Sequence, residues 1–370
     1  MHTFTRRVAV MEKRIVFAAT FILSVIVSLA RPLAAAGGLN ITAVFAFGDS
    51  TLDTGNNNHL HTLFRADHVP YGRDLPNHRP SGRFSDGRLI TDFLVSDLGL
   101  KKLLPPYSAS NRLYLSEMAT GVSFASGGSG LDDLTARLAQ VMTMEQELRD
   151  FKEYSKRLRQ AMGKQKADEI IRNAVFVIGI GSNDWIMNYY LLPIRRHKYS
   201  KAAYSRILIG KLRSFVEELY SEGGRRFAIS GLAPLGCLPI QITQAAMVPI
   251  YHTPQRRCVP GQNQDAVAYN SLLRASISNM SSSLLQARFL YVDAYNSLMH
   301  MIKNPKEYGF EVTTLGCCGT GRVEMGPLCN KLTTVCSSPS TFMFWDSVHP
   351  SETTYRHLAE RLRRDVLSSL

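Results

Sequence analysis

Four short apolar runs, each passing straight into a turn, limit the folds open to this chain. Residues 44–47 lead into Gly48-Asp49-Ser50, and residues 175–180 lead into Gly181-Ser182-Asn183-Asp184. Residues 227–229 lead into Ser230-Gly231, and residues 288–292 into Asp293. Short runs rich in β-branched and aromatic residues, closed by such turns, read as buried strands. Helical patterns lie between them. Residues 132–161 carry Leu134, Leu138, Val141, Met142, Leu148 and Phe151 at helix-like spacings, with Asp132 and Asp133 placed to cap the start. Residues 201–222 and 263–286 also read as helices. Alternating strand and helix predicts a parallel sheet covered on both faces. Sites in open sheets of this kind gather beyond the carboxyl ends of the strands, where these turns fall.

The N-terminal segment reads differently. Arg6, Arg7, Lys13 and Arg14 precede an apolar run over residues 15–30, followed by Pro32 and Ala34-Ala35-Ala36. A basic start, an apolar middle and a small-residue exit make up a secretory signal peptide. Cleavage is expected near Ala36, leaving residues 37–370 as a single domain. A retained anchor is the rival reading, but 16 residues fall short of the roughly 20 needed to span a bilayer. No other stretch is long and apolar enough, so stable membrane insertion is not expected. Loss of residues 1–36 lowers the formal charge from +13 to +9. No basic run or stacking motif points to nucleic acid. A basic surface on an exported chain suits contact with acidic polysaccharide, or is simply solvated.

The six cysteines, Cys237, Cys258, Cys317, Cys318, Cys329 and Cys336, all fall in the second half. An even count behind an export signal predicts disulfides. Their spacing matches no zinc pattern. Adjacent Cys317 and Cys318 cannot easily pair with each other, so bridges to Cys329, Cys336 or further away are expected. Asn40-Ile41-Thr42 and Asn279-Met280-Ser281 are glycosylation sequons. Residues 52–90 and 311–340 look like ordered loops inserted in the domain.

Two blocks carry reactive side chains. In Phe47-Gly48-Asp49-Ser50-Thr51-Leu52-Asp53-Thr54-Gly55-Asn56-Asn57-Asn58, a serine follows directly on a buried strand. That placement suits a nucleophile, although serines also cap the segments that follow them. In Phe344-Trp345-Asp346-Ser347-Val348-His349-Pro350, an aspartate and a histidine three residues apart can meet across one turn. The carboxylate can then orient the imidazole, whose other nitrogen takes the serine proton.

Taken together, these blocks resemble the GDSL family of esterases and lipases, a branch of the SGNH hydrolase superfamily, and its plant secreted members most closely. The resemblance covers nearly all of the mature chain and includes Pro70-Tyr71-Gly72-Arg73, Gly82-Arg83-Phe84-Ser85-Asp86-Gly87 and Gly231-Leu232-Ala233-Pro234-Leu235-Gly236-Cys237. It implies an α/β/α sandwich with a parallel sheet of about five strands in a flavodoxin-like order. It implies that Ser50 is the nucleophile, His349 the base and Asp346 its partner. The backbone N–H groups of Ser50 and Gly128 and the side-chain amide of Asn183 would form the oxyanion hole, with Gly127 the fallback for Gly128. Ser123 stands where the family usually has asparagine, and local repacking is expected there. The implied activity is hydrolysis of small or polymeric carboxylic esters outside the cell, in the wall or apoplast, without metal or organic cofactor.

Competing motifs fail on inspection. No G-x-S-x-G elbow and no H-E-x-x-H occurs. Ile178-Gly179-Ile180-Gly181 has Asp184 where a dinucleotide loop needs its third glycine. His59, His61 and His68 lie in a loop and read as exposed or structural. Asp53 and Asp184 read as turn and hydrogen-bonding residues. Two other functions remain open: an acyltransferase using the same triad, and a wall-associated binding protein with a vestigial site.

Overall fold

The computed structural model describes residues 40–247 and 256–370. The expected leader over residues 1–36 lies outside them. Ile41–Leu370 forms one unit.

All four predicted strands form, as β1 (Val44–Gly48), β2 (Val175–Gly179), β3 (Arg226–Ser230) and β4 (Arg288–Val292). They pair in parallel in the order β1-β2-β3-β4. Burial on both faces explains their near-continuous apolar sequences. A further segment, residues 122–124, runs beside the free edge of β1. The Ala46 N–H donates to the Val122 carbonyl at 3.2 Å and the Phe124 N–H to the Ala46 carbonyl at 2.7 Å, in a parallel bridge at Ser123. Counting this edge, the sheet order follows the flavodoxin-like 2-1-3-4-5 pattern. The expected fifth member is therefore a bridge rather than a full strand.

Side chains alternate across the sheet, and the alternation is lopsided. Phe45, Phe47, Phe176 and Phe227 share one face, where Phe45 and Phe176 stand 5.4 Å apart and Phe176 and Phe227 5.3 Å apart. The other face carries Ala46, Gly48, Val177, Gly179 and Ala228 at the same registers.

Among the described residues, the α-helices of seven residues or more are α1 (Ile90–Asp97), α2 (Asp133–Ala139), α3 (Met144–Met162), α4 (Lys164–Asn173), α5 (Lys201–Ser221), α6 (Pro239–Ala246), α7 (Pro260–Ser283), α8 (Ala294–Lys303) and α9 (Glu352–Ser369). The single helix expected over 132–161 is two. Gln140 adopts a left-handed conformation that ends α2, and Thr143 opens α3 by accepting from the Gln146 N–H in a capping box. Asp132 caps α2 as expected, accepting from the Leu134 N–H. Phe151 and Tyr154 of α3 pack with Phe215 of α5 against the phenylalanine face. The 311–340 region is not all loop. It contributes β5 (Val312–Gly316), paired with β6 (Phe342–Phe344) in a small second sheet.

Three disulfides form: Cys237–Cys258, Cys317–Cys336 and Cys318–Cys329. The adjacent cysteines thus reach Cys336 and Cys329, as expected. Three bridges fit an oxidising compartment. No helix among the described residues is long and apolar enough to cross a membrane. Asn40 is exposed, and Asn279 lies on the exposed side of α7.

Candidate active site

Strand β1 ends at Gly48, and the chain turns at Asp49-Ser50. Gly48 has φ +130°, and a Cβ there would lie 2.0 Å from the Gly179 carbonyl oxygen. Glycine is thus required for β1 and β2 to approach at this point. The Asp49 N–H donates to that carbonyl, and its Oδ1 accepts from the N–H and hydroxyl of Thr51 at 3.0 and 2.8 Å. Ser50 is held at the carboxyl end of the sheet, only 7% exposed.

The second block arrives between β6 and α9. His349 Nε2 lies 2.8 Å from Ser50 Oγ, and Nδ1 lies 2.7 Å from Asp346 Oδ2. A carboxylate only accepts, so Nδ1 carries the proton and Nε2 is left to accept from the serine hydroxyl. Asp346 is fully buried, and its oxygens are saturated. Oδ1 accepts from the N–H groups of Val348 and His349 at 2.8 and 2.7 Å, and Oδ2 also accepts from the Tyr71 hydroxyl at 2.7 Å. Tyr71 in turn accepts from the Gly326 N–H at 2.8 Å, within the loop closed by Cys318–Cys329. Hydroxyl, imidazole and carboxylate in this sequence can deprotonate the serine and stabilise the charged ring.

The three expected oxyanion donors lie around one pocket with Ser50 and His349. Among the described residues, neither the Ser50 nor the Gly128 N–H has a hydrogen-bond partner within the protein. Gly127 differs: its N–H donates to Asp53 Oδ2 at 2.9 Å, so the fallback donor is already engaged. Gly128 has φ +88°, and a Cβ there would meet the Phe64 ring at 2.9 Å. Asn183 donates one amide hydrogen to the Ser129 carbonyl at 2.9 Å, which leaves its second available. It directly precedes a π-helical segment, Asp184–Leu191. Such segments recur at functional sites.

The loop over 52–90 holds these pieces together. Asn56 Nδ2 donates to the carbonyls of Ser123 and Ala125, and Asn57 Nδ2 donates to those of Phe64 and Gly127. Ser123 Oγ donates to the Leu52 carbonyl at 2.7 Å, which is how this position packs without an asparagine. Arg83 clamps Asp92 of α1 through two 2.8 Å contacts and sets Phe84 against the His349 ring, 4.8 Å between centroids. Asp53 accepts from the N–H groups of Gly55, Asn56 and Gly127, and Asp184 from those of Leu131 and Asp132. Both serve as the hydrogen-bonding residues expected. Burial pushes their carboxyls up, to about 6 for Asp53 and about 7 for Asp184. His68 Nε2 lies 3.1 Å from the carbonyls of Gly326 and Cys329, a structural contact, while His59 and His61 are exposed. Among the described residues no group of His, Cys, Asp and Glu has a metal-binding arrangement.

Two residues were missed in the sequence. Tyr71 lies within a quoted motif, but its contact with Asp346 spans 275 positions. Glu147 reads as a surface acid on an amphipathic helix, yet it is fully buried and its Oε2 accepts from the Gly48 N–H at 2.8 Å. Burial raises its carboxyl well above the usual range, and Asp53 and Asp49 add repulsion.

The model of the GDSL-like lipase/acylhydrolase family matches residues 44–362. The chain belongs to that family. The GDSL match spans the turn that carries Ser50, the block that carries Gly127 and Gly128, Asn183 and the Asp346–His349 block. Two relatives from Arabidopsis thaliana agree. GDSL esterase/lipase At1g58430 is 44% identical over 86% of this chain and 88% of its own length. GDSL esterase/lipase At2g31550 is 45% identical over the same shares. Among solved structures, a catalytic mutant of Axe2, an acetylxylan esterase from Geobacillus stearothermophilus, is 16% identical over 88% of this chain and 94% of that one, with a TM-score of 0.40. GDSL membership makes this chain a carboxylic ester hydrolase.

Proposed function

We propose that the protein cleaves extracellular carboxylic esters through an acyl-enzyme on Ser50. The observation that supports this most is the 2.8 Å approach of His349 Nε2 to Ser50 Oγ, with Asp346 behind the ring. His349 takes the Ser50 proton as the hydroxyl oxygen attacks the ester carbonyl. Negative charge then grows on the carbonyl oxygen, which the N–H groups of Ser50 and Gly128 and the free amide hydrogen of Asn183 receive. His349 returns the proton to the departing alcohol. A water molecule, deprotonated by the same nitrogen, releases the acid and restores Ser50.

Export rests on the leader-like residues 1–36 and the three disulfides. A wall or apoplast location, with the basic surface against acidic polysaccharide and sugars on Asn40 and Asn279, follows from that reading. A transferase would use the same acyl-enzyme with an alcohol in place of water. A wall-binding protein would need no reactive serine.

Initial-rate assays of the mature protein with p-nitrophenyl acetate test the reading. Wild type is expected to turn over, and Ser50→Ala and His349→Ala to lose at least about a thousandfold. Equal rates in Ser50→Ala would overturn it. Product analysis with and without added alcohol separates hydrolysis from transfer.

A further inference from the structure

Two of the proposed oxyanion donors come from different parts of the chain. Gly128 follows the sheet edge at 122–124, and Asn183 follows β2. A hole built from them works only if both aim at one oxygen, so something must fix one to the other. Asn183 itself makes one tie, from its amide to the Ser129 carbonyl. The next residue, Asp184, makes several. Its Oδ2 accepts from the Leu131 N–H at 2.9 Å, and its Oδ1 accepts from the Asp132 N–H at 2.9 Å and the Thr135 hydroxyl at 2.5 Å. The chain passes so close that a Cβ on Gly130 would collide with Oδ1.

These bonds form a directed chain. Asn188, within the π-helical segment, donates its amide to Thr135 Oγ1 at 2.7 Å, and the Thr135 hydroxyl donates onward to Asp184. Beyond the segment, the Arg195 N–H donates to the Asn188 carbonyl at 3.0 Å and its guanidinium pairs with Asp132. Ser129, Leu131, Asp132 and Thr135 are thus all held by the stretch that begins at Asn183. Asp184 is fully buried and does not line the space that holds Ser50, Gly128, Asn183 and His349. It can act on a substrate only through its neighbours.

We propose that Asp184 is a positioning residue for the oxyanion hole: its buried carboxylate locks the loop that carries Gly128 onto the segment that carries Asn183, so that both donors face one oxygen. This rests on the acyl-enzyme reading above. The role needs an acceptor at both carboxyl oxygens, which no neutral isostere provides. In Asp184→Asn the amide nitrogen faces either the Leu131 N–H, or the Asp132 N–H and the Thr135 hydroxyl, donor against donor. The loop must then shift, and the Gly128 N–H shifts with it. Misalignment weakens the bonds made to the developing oxyanion more than those made to the resting ester, so the loss falls on kcat.

Kinetics per active site test the role. Competent sites are counted by fluorophosphonate labelling taken to completion. Hydrolysis of p-nitrophenyl acetate is followed at about pH 8, above the value of about 7 to which burial raises the Asp184 carboxyl. Asp184→Asn is expected to lower kcat about ten- to a hundredfold, with KM within about threefold. Thr135→Val keeps the carboxylate and removes one donor; it is expected to lower kcat about three- to tenfold, and serves if the substitution at 184 disturbs folding. Thr135→Ser keeps the hydroxyl and is expected to restore most of that loss. Combined with Asn183→Ala, each substitution is expected to cost at least about threefold less than it does alone, because part of the hole it aligns is already gone. A kcat per site within about twofold of wild type in the variants that fold overturns the inference. So do losses that simply multiply with Asn183→Ala, the result of a general loss of structure. A wild type that neither hydrolyses the ester nor takes the phosphonate overturns the acyl-enzyme reading, and with it the hole to be positioned. An active wild type with unchanged variants overturns the positioning role alone.

Discussion

The Tyr71 hydroxyl donates to Oδ2 of Asp346 at 2.7 Å, on the same oxygen that faces His349 Nδ1. The pair ties the long loop after Ser50 to the block that carries His349. Through Gly326 it also ties both to the disulfide loop.

Tyr71→Phe removes one donor from a fully buried carboxylate and leaves the Gly326 N–H without its acceptor. Hydrogen bonds to charged groups contribute about 1.5–3 kcal/mol. With His349 as the proposed base, we expect kcat/KM to fall about ten- to a hundredfold, mostly in kcat, because the tyrosine acts through the Asp346 carboxylate that orients the ring. Steady-state kinetics on p-nitrophenyl acetate checks this. A change confined to KM would contradict it.

Asn183→Ala removes a side-chain donor aimed at the pocket and its anchoring bond to the Ser129 carbonyl. Loss of one oxyanion donor costs about 100- to 1,000-fold in kcat. Thermal unfolding should show a far smaller effect than the kinetics. An equal kcat in the variant would remove Asn183 from the oxyanion hole.

Asp86 bears on pH dependence. Burial raises its carboxyl from 3.8 to about 7, with Asp74 and Glu352 adding repulsion. A carboxyl with a higher pKa in the folded chain keeps its proton longer when folded. Its contribution to stability is complete below 3.8 and is lost as pH rises through about 7. Asp86→Asn keeps an oxygen to accept the Glu352 N–H, which Asp86 Oδ1 receives at 2.7 Å, and removes the titration. The variant should therefore lose less stability than wild type between pH 4 and 7, read as melting temperature across that range. A variant that loses more would reverse the sign of the argument.

Glu147 sits behind the Gly48-Asp49-Ser50 turn as a buried acid with a raised pKa. Glu147→Gln keeps an uncharged acceptor for the Gly48 N–H and should leave both stability and kcat within about twofold of wild type. Glu147→Leu orphans that N–H and should cost about 1–3 kcal/mol. Chemical denaturation of the two variants separates these outcomes. Equal losses in both would mean that the charged form matters.

Much of the fold could be read from local sequence. The four strands announce themselves because both faces are buried, which forces continuous apolar runs such as Val175–Gly179. Ser50 stands out because it follows a buried strand at a turn, and Asp346 and His349 because they lie three residues apart. The sheet edge at 122–124 did not, because its pairing with β1 amounts to a single bridge and its middle residue is a serine. The break at Gln140 was masked by apolar residues that keep helical spacing across it, although Thr143 and Gln146 carried a capping signal. Tyr71 and Glu147 depend on contacts 275 and 99 residues away, which no local pattern encodes.

Labelling with a fluorophosphonate, read by intact mass and peptide mapping, tests the central claim most directly. One adduct is expected, on the peptide containing Ser50, abolished in Ser50→Ala and strongly slowed in His349→Ala. An unmodified Ser50 in folded protein, or an adduct on a different serine, would contradict the account.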